Sequence, residues 1–217
     1  MKSFKFNNKE FFVHLNDLPD GLELGDLVAI DTETTGLSLV RDRLCVMQIC
    51  SDSNSCHLIK FDPEYFNQVN KPKNILKILN NEKIEKIFHF GRFDIGMIKK
   101  HLEIDCKKVF CTKIASRLVR TYTDRHGLKE LCKDLLNVEI SKSQQTTDWS
   151  SPNLSENQVK YAGSDVIYLH QLRNKLIGML KREKRFDLAK DIFKFLNVRT
   201  DLDLMGWDKE DIFSHSI

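Results

Sequence analysis

The 217-residue sequence predicts an α/β protein with a mixed sheet covered by helices. Three observations predict it. Apolar, strand-like runs crowd the first third of the chain. Strand and helix patterns then alternate to about residue 112. Only helical periodicity follows.

The first strand is Leu27 to Asp31, an apolar run ending in carboxylates. Leu44 to Cys50 and Cys56 to Phe61 are the next two, with Asp52-Ser-Asn-Ser55 as the turn between them. Their short connections predict an antiparallel meander. Ile75, Leu76, Ile78 and Leu79 have helical spacing. Ile84 to Phe90 reads as a strand, Phe93 to Leu102 as a helix, and Val109 to Thr112 as a short extended segment. Helices are predicted at about 113–120, 127–137, 155–181 and 184–197. Ser155 with Gln158 forms a capping-box signature. Val159, Ala162, Val166 and Leu169 form the buried stripe of the helix it opens. No repeat, low-complexity tract or linker divides the chain. One domain over 1–217 is expected, with an apolar tail from about Thr200 packed on the domain or on a neighbouring subunit.

Composition excludes several classes. The chain is 41% hydrophobic and 30% charged, with a net charge of +3. That balance fits a globular protein and leaves nucleic acid to a local basic patch. No apolar run approaches the ~20 residues of a membrane span, and the N-terminus lacks a signal-peptide core. A cytoplasmic location without membrane contact is expected. Cys45, Cys50, Cys56, Cys106, Cys111 and Cys132 form no Cys-x-x-Cys pair, so reduced, buried thiols are expected and a zinc site is not.

Chemistry concentrates in three motifs. Asp31 and Glu33 are two apart on a strand, so both carboxylates leave one face. Adjacent anions repel, and a divalent cation resolves the conflict. Asp94 lies at a strand-to-helix junction, where aspartate is often only a dipole partner. Tyr161 and Asp165 are i,i+4 on a late helix, hence on one face. Singly, each has a bland reading as a solvated polar residue. Jointly, four carboxylates and a hydroxyl are what metal-dependent phosphodiester hydrolysis needs.

In that order, Asp31/Glu33, Asp94 and Tyr161/Asp165 resemble the motifs of the DEDD exonuclease superfamily, in the tyrosine-bearing subdivision that includes ribonuclease D. His89-Phe-Gly-Arg-Phe-Asp94 and Gln144-Gln-Thr-Thr-Asp-Trp-Ser150 extend the likeness. Cys111–Arg117, Thr121–Leu128 and the tail 201–213 are similar to the compact nanoRNase C branch. The resemblance implies a ribonuclease H-like fold and two divalent cations, Mg²⁺ or Mn²⁺. It implies 3′→5′ release of nucleoside 5′-monophosphates, favouring very short RNA, dinucleotides included. Trimming of longer RNA 3′ ends or DNA is the alternative, and a non-catalytic nucleic-acid scaffold is a third reading. Asp31 would bridge both metals, Glu33 and Asp165 complete the nucleophile-side site, Asp94 hold the second metal, and Tyr161 aim the water. Thr34 would contact the terminal 3′-OH, and Leu37 is either a wedge between the last two bases or a core leucine. His89 and Arg92 would touch phosphate, His89 alternatively being a buried histidine. Trp149 is a stacking platform or packing. Arg120, Arg125 and His126 would receive a 5′ phosphate. Similar short proteins form ring-like homo-oligomers, so self-association is expected.

Overall fold

The computed structural model describes residues 2–6, 9–51, 55–67, 71–140 and 147–215. The turn expected at 52–54 and the motif residues 144–146 lie outside them. Among the described residues, seven strands form one sheet: β1 (Lys2–Phe6), β2 (Lys9–Leu15), β3 (Leu27–Thr34), β4 (Leu44–Ser51), β5 (Ser55–Lys60), β6 (Glu85–Phe88) and β7 (Val109–Cys111). Their spatial order is β1-β2-β5-β4-β3-β6-β7. β3, β4 and β5 are the expected antiparallel meander, and β6 and β7 join β3 in parallel. The mixture follows from connectivity: hairpins link the meander, whereas α1 (Lys73–Asn80) and α2 (Arg92–Leu102) carry the chain back for the parallel strands.

The helices that follow are α3 (Thr112–Val119), α4 (Leu128–Leu131), α5 (Glu156–Val166), α6 (Leu169–Arg182) and α7 (Phe186–Leu202). β4 is buried along its whole length, because both faces of the sheet are covered there. The predicted stripe Val159, Ala162, Val166 and Leu169 is fully buried. Ser155 and Gln158 form the capping box, each side chain bonding the other's backbone N–H at 3.2 and 3.0 Å. The single helix expected over 155–181 is two, broken at Ile167–Tyr168.

Two close approaches set the helix positions. A Cβ on Gly163 of α5 would lie 2.2 Å from the Phe11 ring of β2, so glycine lets α5 settle on the sheet. A Cβ on Gly96 of α2 would meet Leu39 at 2.9 Å, which brings the loop after β3 down onto α2. Both contacts bear on the site, because α5 carries Tyr161 and Asp165 and the loop carries Leu37.

One cysteine expectation is corrected. Cys50 and Cys56 are joined in a disulfide across the paired strands β4 and β5, where their registers are directly opposite. Cys45, Cys106, Cys111 and Cys132 are free and buried. No helix among the described residues is long and apolar enough to cross a membrane.

Candidate active site

Asp31 and Glu33 stand near the C-terminal end of β3, paired with Gln48 and Val46 of β4. A register shift between Glu33 and Thr34 ends the regular ladder. Asp165, near the end of α5, points at the same spot. Carboxylate oxygens of Asp31, Glu33 and Asp165 all lie within 4.8 Å of one another. Oxygens bound to one Mg²⁺- or Ca²⁺-sized ion at about 2.0–2.6 Å are separated by no more than about 4–5 Å. The trio therefore fits a hard divalent cation, in spacing and in donor type.

Asp94 stands outside that trio but within its field. It is buried in the first turn of α2, and the Thr32 hydroxyl donates to its Oδ1 at 2.6 Å. Thr32, the residue between the two strand carboxylates, thus ties the second motif to the first. Gln48 Nε2 reaches Glu33 Oε1 at 3.5 Å.

The electrostatics of the group describe a site that needs positive charge. Burial, then repulsion from Asp94, Asp165 and Glu33, holds the Asp31 carboxyl well above the usual range. Burial and the charges of Asp165 and Asp94 push Glu33 up to about 9. Burial pushes Asp94 to about 7, against hydrogen bonds that favour its anion. Packing so many acids together is costly without a cation and favourable with one.

Tyr161 lies beside Asp165 on the same face of α5. Burial foremost, then the charges of Asp165, Glu33 and Asp31, raises its phenol well above the ordinary value. The hydroxyl therefore stays protonated across the physiological range. Trp149, 3% exposed, packs its ring 6.1 Å from the Tyr161 ring. It takes the packing alternative, holding Tyr161 from behind.

The softer assignments divide. Leu37 is 86% exposed and is no core leucine. Thr34 turns its hydroxyl to the Gly36 carbonyl at 2.6 Å. His89 is half-buried, with Nδ1 2.9 Å from the Thr112 hydroxyl. Arg125 is exposed. Three residues already have partners within the protein. Arg120 is 2% exposed and spends its guanidinium on Asp134 and the Arg125 carbonyl. His126 is buried against Ser116, 2.8 Å away. Arg92 clamps Asp203, at 2.6 and 2.7 Å, and the Asp208 carbonyl at 2.8 Å. Its work is to fasten the C-terminal tail, whose Asp203 also pairs with Arg199. A polar, turn-like stretch suggested phosphate binding for Arg120 and His126. The interior took them because each finds a partner within its own helix–turn unit.

Sequence reasoning missed Thr32 and Gln48, although both sit inside or opposite the first motif. It also missed Phe90, which has a left-handed backbone (φ 63°) and a ring 46% exposed.

Comparison with known proteins gives a consistent result. A family model described as 3′-5′ exonuclease matches residues 8–181. Ribonuclease D of Bartonella henselae is 30% identical over 76% of this chain and 39% of its own length. DNA polymerase I of Aquifex aeolicus is 32% identical over 73% of this chain and 25% of its own. The chain thus spans roughly a quarter to two-fifths of those curated relatives. Brucella melitensis NrnC, solved bound to pGG, is 49% identical, with a TM-score of 0.89 and 95% and 98% of the two chains covered. The same protein with bound Mg²⁺ superposes with a TM-score of 0.87. Ribonuclease D of Escherichia coli, at 21% identity and a TM-score of 0.70, shares the fold.

Proposed function

The chain belongs to the 3′-5′ exonuclease family, and on that premise we propose that it is a metal-dependent 3′→5′ exoribonuclease acting on very short RNA. The convergence of the Asp31, Glu33 and Asp165 oxygens within 4.8 Å, with Asp94 beside them, carries the reading. Trimming of longer RNA 3′ ends, or of DNA, is the broader alternative. The 49%-identical Brucella protein bound to pGG favours the shorter substrate. We further take the chain as a single nuclease domain that self-associates.

In this proposal, Asp31, Glu33 and Asp165 would hold one divalent ion, and Asp31 with Asp94 would hold a second, Mg²⁺ or Mn²⁺. When bound, the ions supply the Lewis acidity that sharpens a water and stabilises the leaving oxygen. The chain's own residues position the reactants. Tyr161, protonated, orients the attacking water by hydrogen bonding and does not remove its proton. Trp149 fixes that ring from behind. The water oxygen bonds to phosphorus as its proton passes to solvent, the P–O3′ bond breaks, and the leaving 3′-oxygen takes up a proton from solvent. The products are a nucleoside 5′-monophosphate and an oligonucleotide, or nucleoside, one residue shorter with a free 3′-OH. Glu33 and the backbone near Thr34 would contact the terminal 3′-OH.

Tyr161→Phe keeps the ring packing and removes only the hydroxyl. It is expected to lower kcat about 10²-fold with KM little changed, since a misplacement of about 1 Å in a reacting group costs about 10²-fold. Steady-state kinetics check it, with a thermal melt to confirm that the fold persists. Substrate length is tested by competition between a 5′-labelled diribonucleotide and an RNA of about twenty residues. With Mg²⁺ or Mn²⁺ the dinucleotide is expected to disappear first, and a chelator to stop both reactions. Stepwise shortening of the long RNA at a similar rate would replace this reading with the broader one. No turnover of either would favour the scaffold.

A further inference from the structure

We infer that Phe90 is a specificity-determining residue whose ring, backed by the Lys113 ammonium, stacks on a nucleobase of the substrate in a cavity it shares with Leu37. The inference rests on the RNA-hydrolysing reading above and adds to it the contact that recognises the base.

The fold places the cavity. β3 and β6 are parallel neighbours, so the loops that leave their C-terminal ends open on the same edge of the sheet. Crevices outside strand C-termini are where open α/β sheets bind ligands. The loop after β3 carries Leu37 and Val40, and the turn after β6 carries Phe90. Together with Phe93 and Arg92 they line a cavity of about 520 Å³, within the ~300–1,000 Å³ range of ligand sites. Asp94 follows Phe90 by four residues, in the first turn of α2.

Phe90 is unusual in three independent ways. Its ring is 46% exposed, beside Leu37 at 86% and Val40 at 73%, so apolar surface gathers at the mouth of a charged site. Its backbone lies in the left-handed region, a conformation costly for an aromatic residue. The turn is tight, since a Cβ on the neighbouring Gly91 would lie 2.7 Å from Phe88. Glycine or asparagine would suit the backbone at position 90 better, so the residue there is explained by the ring it presents. Finally, the Lys113 ammonium stands 4.1 Å from the ring centroid. A cation against a half-exposed ring polarises it, a favourable contact that holds the ring in place. Arg92, the other cation on this turn, is already committed to Asp203 and Asp208. Aromatic stacking tolerates any base, so the platform selects for nucleotides without selecting among them.

The test pairs a protein change with a substrate change. Wild type and Phe90→Ala are compared on a diribonucleotide and on its two analogues, each lacking one base, with KM and kcat resolved. Phe90→Ala is expected to raise KM for the intact dinucleotide about tenfold, with kcat within threefold. With the analogue lacking the stacked base, the two proteins should differ little. Phe90→Trp should restore the wild-type KM. Because the ring is half exposed, its truncation leaves no core cavity, and a thermal melt confirms this. An equal loss on all three substrates, a fall in kcat at constant KM, or a change of oligomeric state without base dependence would overturn the inference. If wild type cleaves no RNA, the functional reading itself fails. Equilibrium affinity for the same three compounds, measured with Ca²⁺ in place of the activating metal, then decides the stacking role separately.

Discussion

Asp31→Asn is expected to abolish hydrolysis, by about 10³-fold or more, while making the metal-free protein more stable. The two effects have one cause. Asp31 is half-buried and crowded by Asp94, Asp165 and Glu33, and desolvation with those neighbours holds its carboxyl far above the usual range. In the metal-free protein its ionised form is a source of repulsion. Asparagine has the same shape, carries no charge and can donate to a neighbouring carboxylate. Relief of one such interaction amounts to about 1–3 kcal/mol, or roughly 3–10 °C in melting temperature for a chain of this size. The same substitution removes an oxygen anion from the position shared by both proposed metals, and metal-assisted charge stabilisation is the largest single contribution available to such a site. Calorimetry in chelator, with turnover assayed in Mn²⁺, reads both effects. A variant that is inactive because it is unfolded, or that retains turnover, would contradict the assignment.

The second large effect is on pH. Groups whose folded pKa is raised contribute stability that is complete below their unfolded value and lost as pH climbs through the folded one. Asp94, at about 7, and Glu33, at about 9, are such groups. His57 and His101 act oppositely. Burial holds both at about 4, so they contribute stability that is lost as pH falls below about 6.5. Above pH 6.5 the histidines are neutral in both states and the carboxyl effect dominates; from about pH 8 it is partly opposed by Lys86, which burial lowers to about 8. Metal-free protein should therefore lose on the order of a few kcal/mol between pH 6.5 and 9. Saturating Mg²⁺ or Mn²⁺ should flatten that slope, because a cation removes the reason for the raised values. Melting temperature against pH, with and without chelator, checks it. A slope unchanged by metal would place the destabilisation elsewhere.

The carboxylates were legible because their chemistry is written in local sequence. Asp31 and Glu33 share a strand, Tyr161 and Asp165 share a helical face, and the capping box that starts the helix is spelled out at Ser155 and Gln158. The meander was legible for the same reason, since three apolar runs are joined by short connections. Long-range partnerships were not. Arg92 finds Asp203, 111 residues away, and only the folded tail makes that pair visible. Arg120 looked like a surface cation in a polar turn, yet it is buried, with its guanidinium on Asp134 and the Arg125 carbonyl. β1 and β2 escaped notice although Phe11, Val13 and Leu15 alternate. Lysine and glutamate around them masked the pattern, and β2 gains its place by pairing with β1 and with the distant β5. The break between α5 and α6 carries no proline or glycine at Ile167–Tyr168, so nothing local announced it. The strain at Phe90 is likewise invisible in a one-letter sequence.

The most direct test of the central claim is product identification by mass spectrometry from a short RNA carrying an isotopic mark in its 3′-terminal nucleotide. Purified protein is incubated with Mn²⁺ or Mg²⁺, and in parallel with chelator. The account predicts that the first product is the marked nucleoside 5′-monophosphate, formed only with metal. A first product from the 5′ end, a 3′-phosphate, or equal cleavage in chelator would contradict it.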